Sequence, residues 1–225
     1  MSEQIDKEVP FYSNTPDDTH CFQAALRMVM KYCWPHRDYS WTELDQITKK
    51  VEGLWTWPTA GMIWLQNRGM KIKIIDAFDR VQFIEKGGSY LISEYGEEVG
   101  NLQIQNSDIE QERNLFRNFA GKARSEGRTP TIQDIRLLLE EDYLVICNVN
   151  SSALNKKEGY NGHFVVVTGI GGDYLTVHDP GLPAAQKRQV YFSSFEQAWA
   201  YPNDKAKNIL AFKWSRRSSS PANSK

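Results

Sequence analysis

Gly162-His163-Phe-Val-Val-Val-Thr-Gly-Ile-Gly-Gly172-Asp-Tyr-Leu-Thr-Val-His178-Asp179-Pro180 places β-branched and aromatic residues on either side of a glycine cluster. That pattern predicts a β-hairpin turning around Ile170–Gly172. With the turn centred on Gly171, Val165 faces Val177 and Val167 faces Leu175. Directly opposite residues share one face of a sheet. On that face, at the far end, His163 lies opposite Asp179, so the hairpin sets an imidazole beside a carboxylate. His178 goes to the other face with Phe164 and Thr176, which makes it the weaker base. The inference depends on the turn, because a shift of half a residue puts His163 and Asp179 on opposite faces.

Around this hairpin the chain from Tyr143 onward reads as strand. Tyr143–Asn150, Arg188–Phe192 and Asn208–Trp214 are short β-branched or aromatic runs, with a helix at Ser194–Ala200 before the last. Upstream the grammar is mostly helical. Pro16-Asp-Asp-Thr19 predicts a helix start, followed by an apolar stripe at Phe22, Ala25, Leu26, Val29, Met30 and Cys33. Ser40-Trp-Thr-Glu43 and Ser107-Asp-Ile-Glu110 predict capping boxes, the second opening a helix to about Ser125. Helices are also expected at Thr59–Arg68 and Thr131–Glu141, and a half-buried strand at Lys71–Ala77. Helices first and strands after indicate an α+β fold in one domain, residues 1–214, with an unstructured polar tail at 215–225.

Cys21 falls in the first turn of the first helix, where unsatisfied N–H groups and the helix dipole stabilise a thiolate. Cys33 instead lies in the apolar stripe, and Cys147 alternates with Val145 and Val149 on a strand. Cys, a distant His and then a carboxylate is the order a Cys-His-Asp triad requires. The separation of Cys21 from His163 falls in the papain-like range.

The segment Val9-Pro-Phe-Tyr-Ser-Asn14-Thr-Pro-Asp-Asp-Thr-His-Cys21-Phe-Gln-Ala-Ala-Leu-Arg-Met28 resembles the nucleophile segment of the bacteriocin-processing (double-glycine leader) cysteine peptidases and their stand-alone relatives. Gly162-His-Phe-Val-Val-Val-Thr-Gly and Leu175-Thr-Val-His-Asp179-Pro180 resemble that family's His and Asp strands, and the match spans residues 9–33 and 131–181. The resemblance implies a papain-like fold, with Cys21 as nucleophile, His163 as base and Asp179 as orienting acid. The family carries a Gln shortly before the Cys, whose amide helps bind the oxyanion. Here Thr15 stands at that place and the nearest amide is Asn14, one position further away, with Gln23 as a fallback. Phe22 replaces the small residue common after the Cys, which narrows the pocket. Residues 79–128 exceed the family core and read either as a lid or substrate-selecting insertion or as extra helical packing.

With 27 Lys and Arg against 28 Asp and Glu, the net charge is -1, so no nucleic-acid or anionic-membrane partner is expected. The polar start Met1-Ser-Glu-Gln-Ile-Asp6 lacks a secretory signal, no apolar run is long enough for a transmembrane helix, and three cysteines argue against a disulfide framework. A cytoplasmic location follows as the expectation. No second ligand pair completes a zinc site around Cys33 and His36 or His20 and Cys21, and Gly169-Ile-Gly-Gly172 leads into a strand rather than a phosphate-binding helix. Neither metal nor cofactor is expected. Trp55, Trp57 and Trp64 serve either as core or as an apolar groove. The function expected is a thiol hydrolase on a peptide or amide bond of a peptide or protein substrate. A transpeptidase, acyltransferase or deamidase uses the same triad, and a degenerate peptide-binding relative is the alternative of another class.

Overall fold

The apolar stripe after Cys21 folds as expected. The computed structural model describes residues 4–119 and 124–214. In chain order these form β1 (Ile5–Asp6), α1 (Cys21–Cys33), α2 (Trp41–Thr48), α3 (Thr59–Gln66), β2 (Lys71–Asp76), α4 (Arg80–Lys86), α5 (Gly88–Asn106), α6 (Ile109–Phe119), β3 (Arg124–Gly127), α7 (Ile132–Glu140), β4 (Leu144–Asn150), α8 (Ser151–Leu154), β5 (Gly162–Gly171), β6 (Tyr174–Asp179), β7 (Ala185–Tyr191), α9 (Phe192–Trp199), a 3₁₀ turn (Asp204–Ala206) and β8 (Asn208–Lys213). The architecture is α+β. No helix among the described residues is long and apolar enough to cross a membrane. The tail expected to hang free lies outside the described residues.

The strands run in the order β3-β2-β8-β4-β5-β6-β7, with β1 also paired to β5. Pairing is antiparallel except between β2 and β3. The expected strand at Lys71 thus joins the C-terminal sheet through β8. Alternation along each strand sends side chains to two cores. Ile72, Ile74, Ile146, Phe164, Val166 and Leu210 pack with the stripe of α1. Val145, Cys147, Val165, Val167, Val177 and Ala211 pack with Ile135 and Leu139 of α7 and Phe195 and Trp199 of α9. Both faces of β4 are covered, which explains the apolar run Leu144–Cys147.

Two expected helix starts moved. The chain turns at residues 16–18 and α1 begins only at Cys21, with His20 as N-cap and no side-chain cap bond. The helix at Ser107 is capped by Asp108, which accepts the Gln111 N–H at 2.9 Å. Ser107 is diverted, because its hydroxyl accepts from the Trp57 indole at 3.0 Å. Around residues 79–119 a third cluster forms, centred on Phe83, Tyr90, Leu91 and Phe116. There α5 breaks at Gly96 (φ 81, ψ 168). Its second half folds back so closely that a Cβ on Gly100 would meet the Ile92 Cα at 2.6 Å. Small residues are what permit such a backbone approach. These helices form a cap that lines the same cleft as Cys21 and His163.

Candidate active site

Residues 14–20 build the turn that presents Cys21. Asn14 Oδ1 accepts from the backbone N–H of Thr15 (2.9 Å) and His20 (2.8 Å), and its amide nitrogen donates to Asp18 Oδ1 at 2.7 Å. Asp18 takes a left-handed conformation (φ 57), which aspartate tolerates better than most residues. The Asn14 backbone N–H donates to Pro180 O at 2.8 Å, tying this turn to the strand end beside Asp179. The first intrahelical bond is Ala24 N–H to His20 O at 2.8 Å. Cys21, Phe22 and Gln23 therefore have backbone N–H groups without an intrahelical partner, aimed out of the end of α1.

The hairpin places His163 and Asp179 on one face, by a route other than the expected one. Its turn pairs Gly171 with Tyr174 and Ile170 with Leu175. Continued regularly, that register sets Asp179 on the face opposite His163. The ladder instead slips between Gly169 and Val167, leaving Thr168 as an extra residue, and resumes with Val167 opposite Val177 and Val166 opposite His178. One extra residue reverses the parity. The expected partners Val165–Val177 and Val167–Leu175 are thus replaced, yet odd-numbered residues still share a face.

His163 Nε2 lies 2.7 Å from Asp179 Oδ1, with both side chains buried. This leaves Nδ1 for Cys21, whose side chain hydrogen-bonds His163. Burial works against the imidazolium, but the bonds with Asp179 and Cys21 outweigh it and push His163 up to about 10. Asp179 is likewise opposed by burial, yet His163, the Gly181 N–H (3.0 Å) and Arg188 hold it below the usual carboxylate range. Arg188 Nη1 donates to Asp179 Oδ2 at 2.8 Å, and its Nη2 to Leu154 O at 3.0 Å. Arg188 escaped the sequence reading because it reaches Asp179 from β7, across a register shift. Lys50 escaped it too. Its ammonium stands near Cys21, donating to Thr19 O (3.2 Å) and Leu54 O (3.0 Å), and burial lowers its pKa. The only signal was a basic residue just past a helix end.

The other candidates are held elsewhere. His178 Nδ1 accepts the Lys187 N–H at 3.1 Å, so Nε2–H donates to Val9 O at 2.8 Å. Gln23 is fully buried and donates to Thr48 (3.1 Å) and Thr56 (2.9 Å), bracing α1 rather than facing the cleft. Burial pushes the Cys33 thiol up to about 11 and raises Cys147 further. Trp64 packs among Trp34, Tyr39 and Arg68. Trp55 and Trp57 do line the cleft, together with Cys21, Phe22 and His163 and with cap residues from α5 and α6.

A family profile described as Peptidase C39-like matches residues 6–207. The chain belongs to the Peptidase C39-like family. No curated protein matches it. The peptidase domain of Streptococcus ComA, a bi-functional ABC transporter involved in a quorum-sensing pathway, is similar at 13% identity and TM-score 0.50, over 92% of this chain and 100% of that one. A C39-like peptidase from Bacillus anthracis is similar at 15% identity and TM-score 0.52, over 96% of this chain and 100% of that one. These likenesses show the papain-like C39 fold. Thr15 stands where the resemblance implies an amide for the oxyanion. Thr15 Oγ1 donates to Asp17 at 2.5 Å and lies 2.7 Å from His20 Nδ1, and the Asn14 amide is engaged with Asp18.

Proposed function

We propose that this C39-like protein is a thiol hydrolase of peptide or amide bonds, using Cys21, His163 and Asp179. The observation that carries this reading is the buried His163–Asp179 pair beside a half-buried Cys21, which lines a cleft at the N-terminus of α1. His163, pushed up to about 10, carries the proton at neutral pH, and the reactive form of the pair sets the Cys21 thiolate against it. The thiolate attacks the scissile carbonyl, and the oxyanion is met by the Cys21 N–H at the positive end of α1. His163 gives its Nδ1 proton to the leaving amine as the C–N bond breaks, leaving a thioester on Cys21. Neutral His163 then takes a proton from water, which attacks the thioester and releases the acid. The proton on His163 and the thiolate are thereby restored. Asp179 keeps Nε2 protonated throughout, and Arg188 holds the second carboxylate oxygen. Asn14 serves as the clip that shapes the 14–20 turn, leaving the backbone to supply the oxyanion donors.

Iodoacetamide labelling of the native protein across pH 5 to 9, read by peptide mass spectrometry, tests the ion pair. Cys21 is expected to label faster than Cys33 and Cys147 at pH 6, with that advantage lost in His163→Ala. Equal labelling of the three, indifferent to the mutation, overturns the triad. Hydroxylamine added during turnover of a peptide substrate then reports the acceptor. A hydroxamate formed only under competition with water supports hydrolysis, whereas exclusive transfer to amines makes the enzyme an acyltransferase.

A further inference from the structure

The cleft does not stop at Cys21. It includes a chamber lined by Trp57, Phe78, Leu91, Tyr95, Val99 and Phe116, with the Asp76–Arg80 ion pair lining the same cleft and Arg80 over the Phe116 ring. All six belong to the cap or to segments packed on it. Trp57, Phe78 and Tyr95 stay only half-buried although they pack against the cap's own core. Aromatic surface left uncovered inside a fold forgoes the burial that usually orders such residues. The whole cleft, its Cys21 end included, measures about 180 Å³, and an apolar cavity of about 150 Å³ is enough to hold benzene.

The chamber is also preformed. Gln103 of α5 donates to the Tyr160 hydroxyl at 2.9 Å, fixing the cap to the segment that leads into His163. On the other side Glu94 pairs with Lys205 at 3.1 Å and accepts from Asn203 through its backbone carbonyl at 3.0 Å. Tyr160 in turn stacks on Tyr201, with ring centres 5.9 Å apart. The cap is thus pinned at both margins of the cleft.

We propose that this chamber is a specificity pocket for one large apolar side chain, aromatic in preference, next to the amide bond that Cys21 attacks. The proposal rests on the hydrolase reading for the position of that bond, but occupancy of the pocket does not need catalysis. A diglycine substrate presents nothing to fill it, so the cap assigns this chain to substrates other than those with small residues at the cleavage point.

Binding is measured in the Cys21→Ala variant through tryptophan fluorescence, since Trp55 and Trp57 line the path. N-acetyl-phenylalanyl-glycinamide is compared with N-acetyl-glycyl-glycinamide, and the aromatic probe is expected to bind at least about tenfold more tightly. Val99→Phe fills the chamber and is expected to remove that preference while leaving Cys21 alkylation in the otherwise native protein unchanged. Phe116→Ala, which enlarges the chamber, guards against misfolding of the first variant and is expected to shift preference toward a tryptophanyl probe. Equal binding of the two peptides to the Cys21→Ala protein overturns the pocket. So does an N-octanoyl-glycinamide that binds more tightly than the aromatic peptide. Aromatic binding that survives while no peptide is ever cleaved overturns the hydrolase reading alone.

Discussion

Two buried histidines stand on the same hairpin and behave as opposites. His163 is pushed up to about 10, because a carboxylate and Cys21 meet its two nitrogens. His178 is lowered by burial, because only uncharged backbone groups, Val9 O and Lys187 N–H, meet its own. Both imidazoles are almost inaccessible. What differs is the face of the sheet, and with it the charge of the partners. The side of one strand that a buried imidazole occupies decides whether charged or uncharged groups meet it, and so which way its pKa moves.

The sharpest way to break the contrast is to remove each ring. His163→Ala is expected to cost about 10³-fold or more in kcat/KM against a cleaved peptide, with the fold retained by circular dichroism. His178→Ala leaves two buried backbone groups without partners and is expected to lower stability by about 2–4 kcal/mol in urea denaturation. Its folded fraction should keep the Cys21 labelling rate of the native protein.

Titration sharpens the contrast next. His163 lies above its ordinary value of 6.5, so the stability it contributes is fully present below about pH 6.5 and fades as pH rises to about 10. His178 lies below that value, so its contribution is present above about pH 6.5 and fades as pH falls. Urea midpoints at pH 6 and pH 9 are expected to drop for wild type and to drop less for Asp179→Asn, which removes the partner that holds the proton. The smallest effect concerns Arg188→Gln. Asp179 then loses the charge that partly neutralises it, and imidazole NMR is expected to show His163 deprotonating at higher pH than in wild type, because the less neutralised carboxylate holds the imidazolium more strongly. Activity should fall by about fivefold or less, as expected for a group at a partly exposed site that acts through Asp179.

Much of the sheet and of the candidate triad was legible because both obey short-range rules. The period of β5 and β6, the glycine turn and the position of Cys21 ahead of an apolar stripe are local patterns. The cap was not legible for the converse reason. The break at Gly96 and the contact of Gly100 with Ile92 depend on two helices meeting, and neither half has a clear apolar stripe of its own. β3, an Arg-Ser-Glu-Gly run paired with β2, carries no apolar alternation. Arg188 and Lys50 act through contacts distant in sequence. Asn14 was noticed for its amide, but the geometry of a turn decides where that amide points.

The extra residue at Thr168 makes the spacing between His163 and Asp179 a matter of odd and even. A gain or loss of one residue between them exchanges His178 for Asp179 as the neighbour of His163 unless a second irregularity restores the count. Length changes in this hairpin are therefore tolerated in pairs, or singly only with a compensating slip. Gly169 adds a further constraint, since a Cβ there would meet Ile5 O at 2.5 Å. Any slip that moves another residue into its place sacrifices the β1 strand.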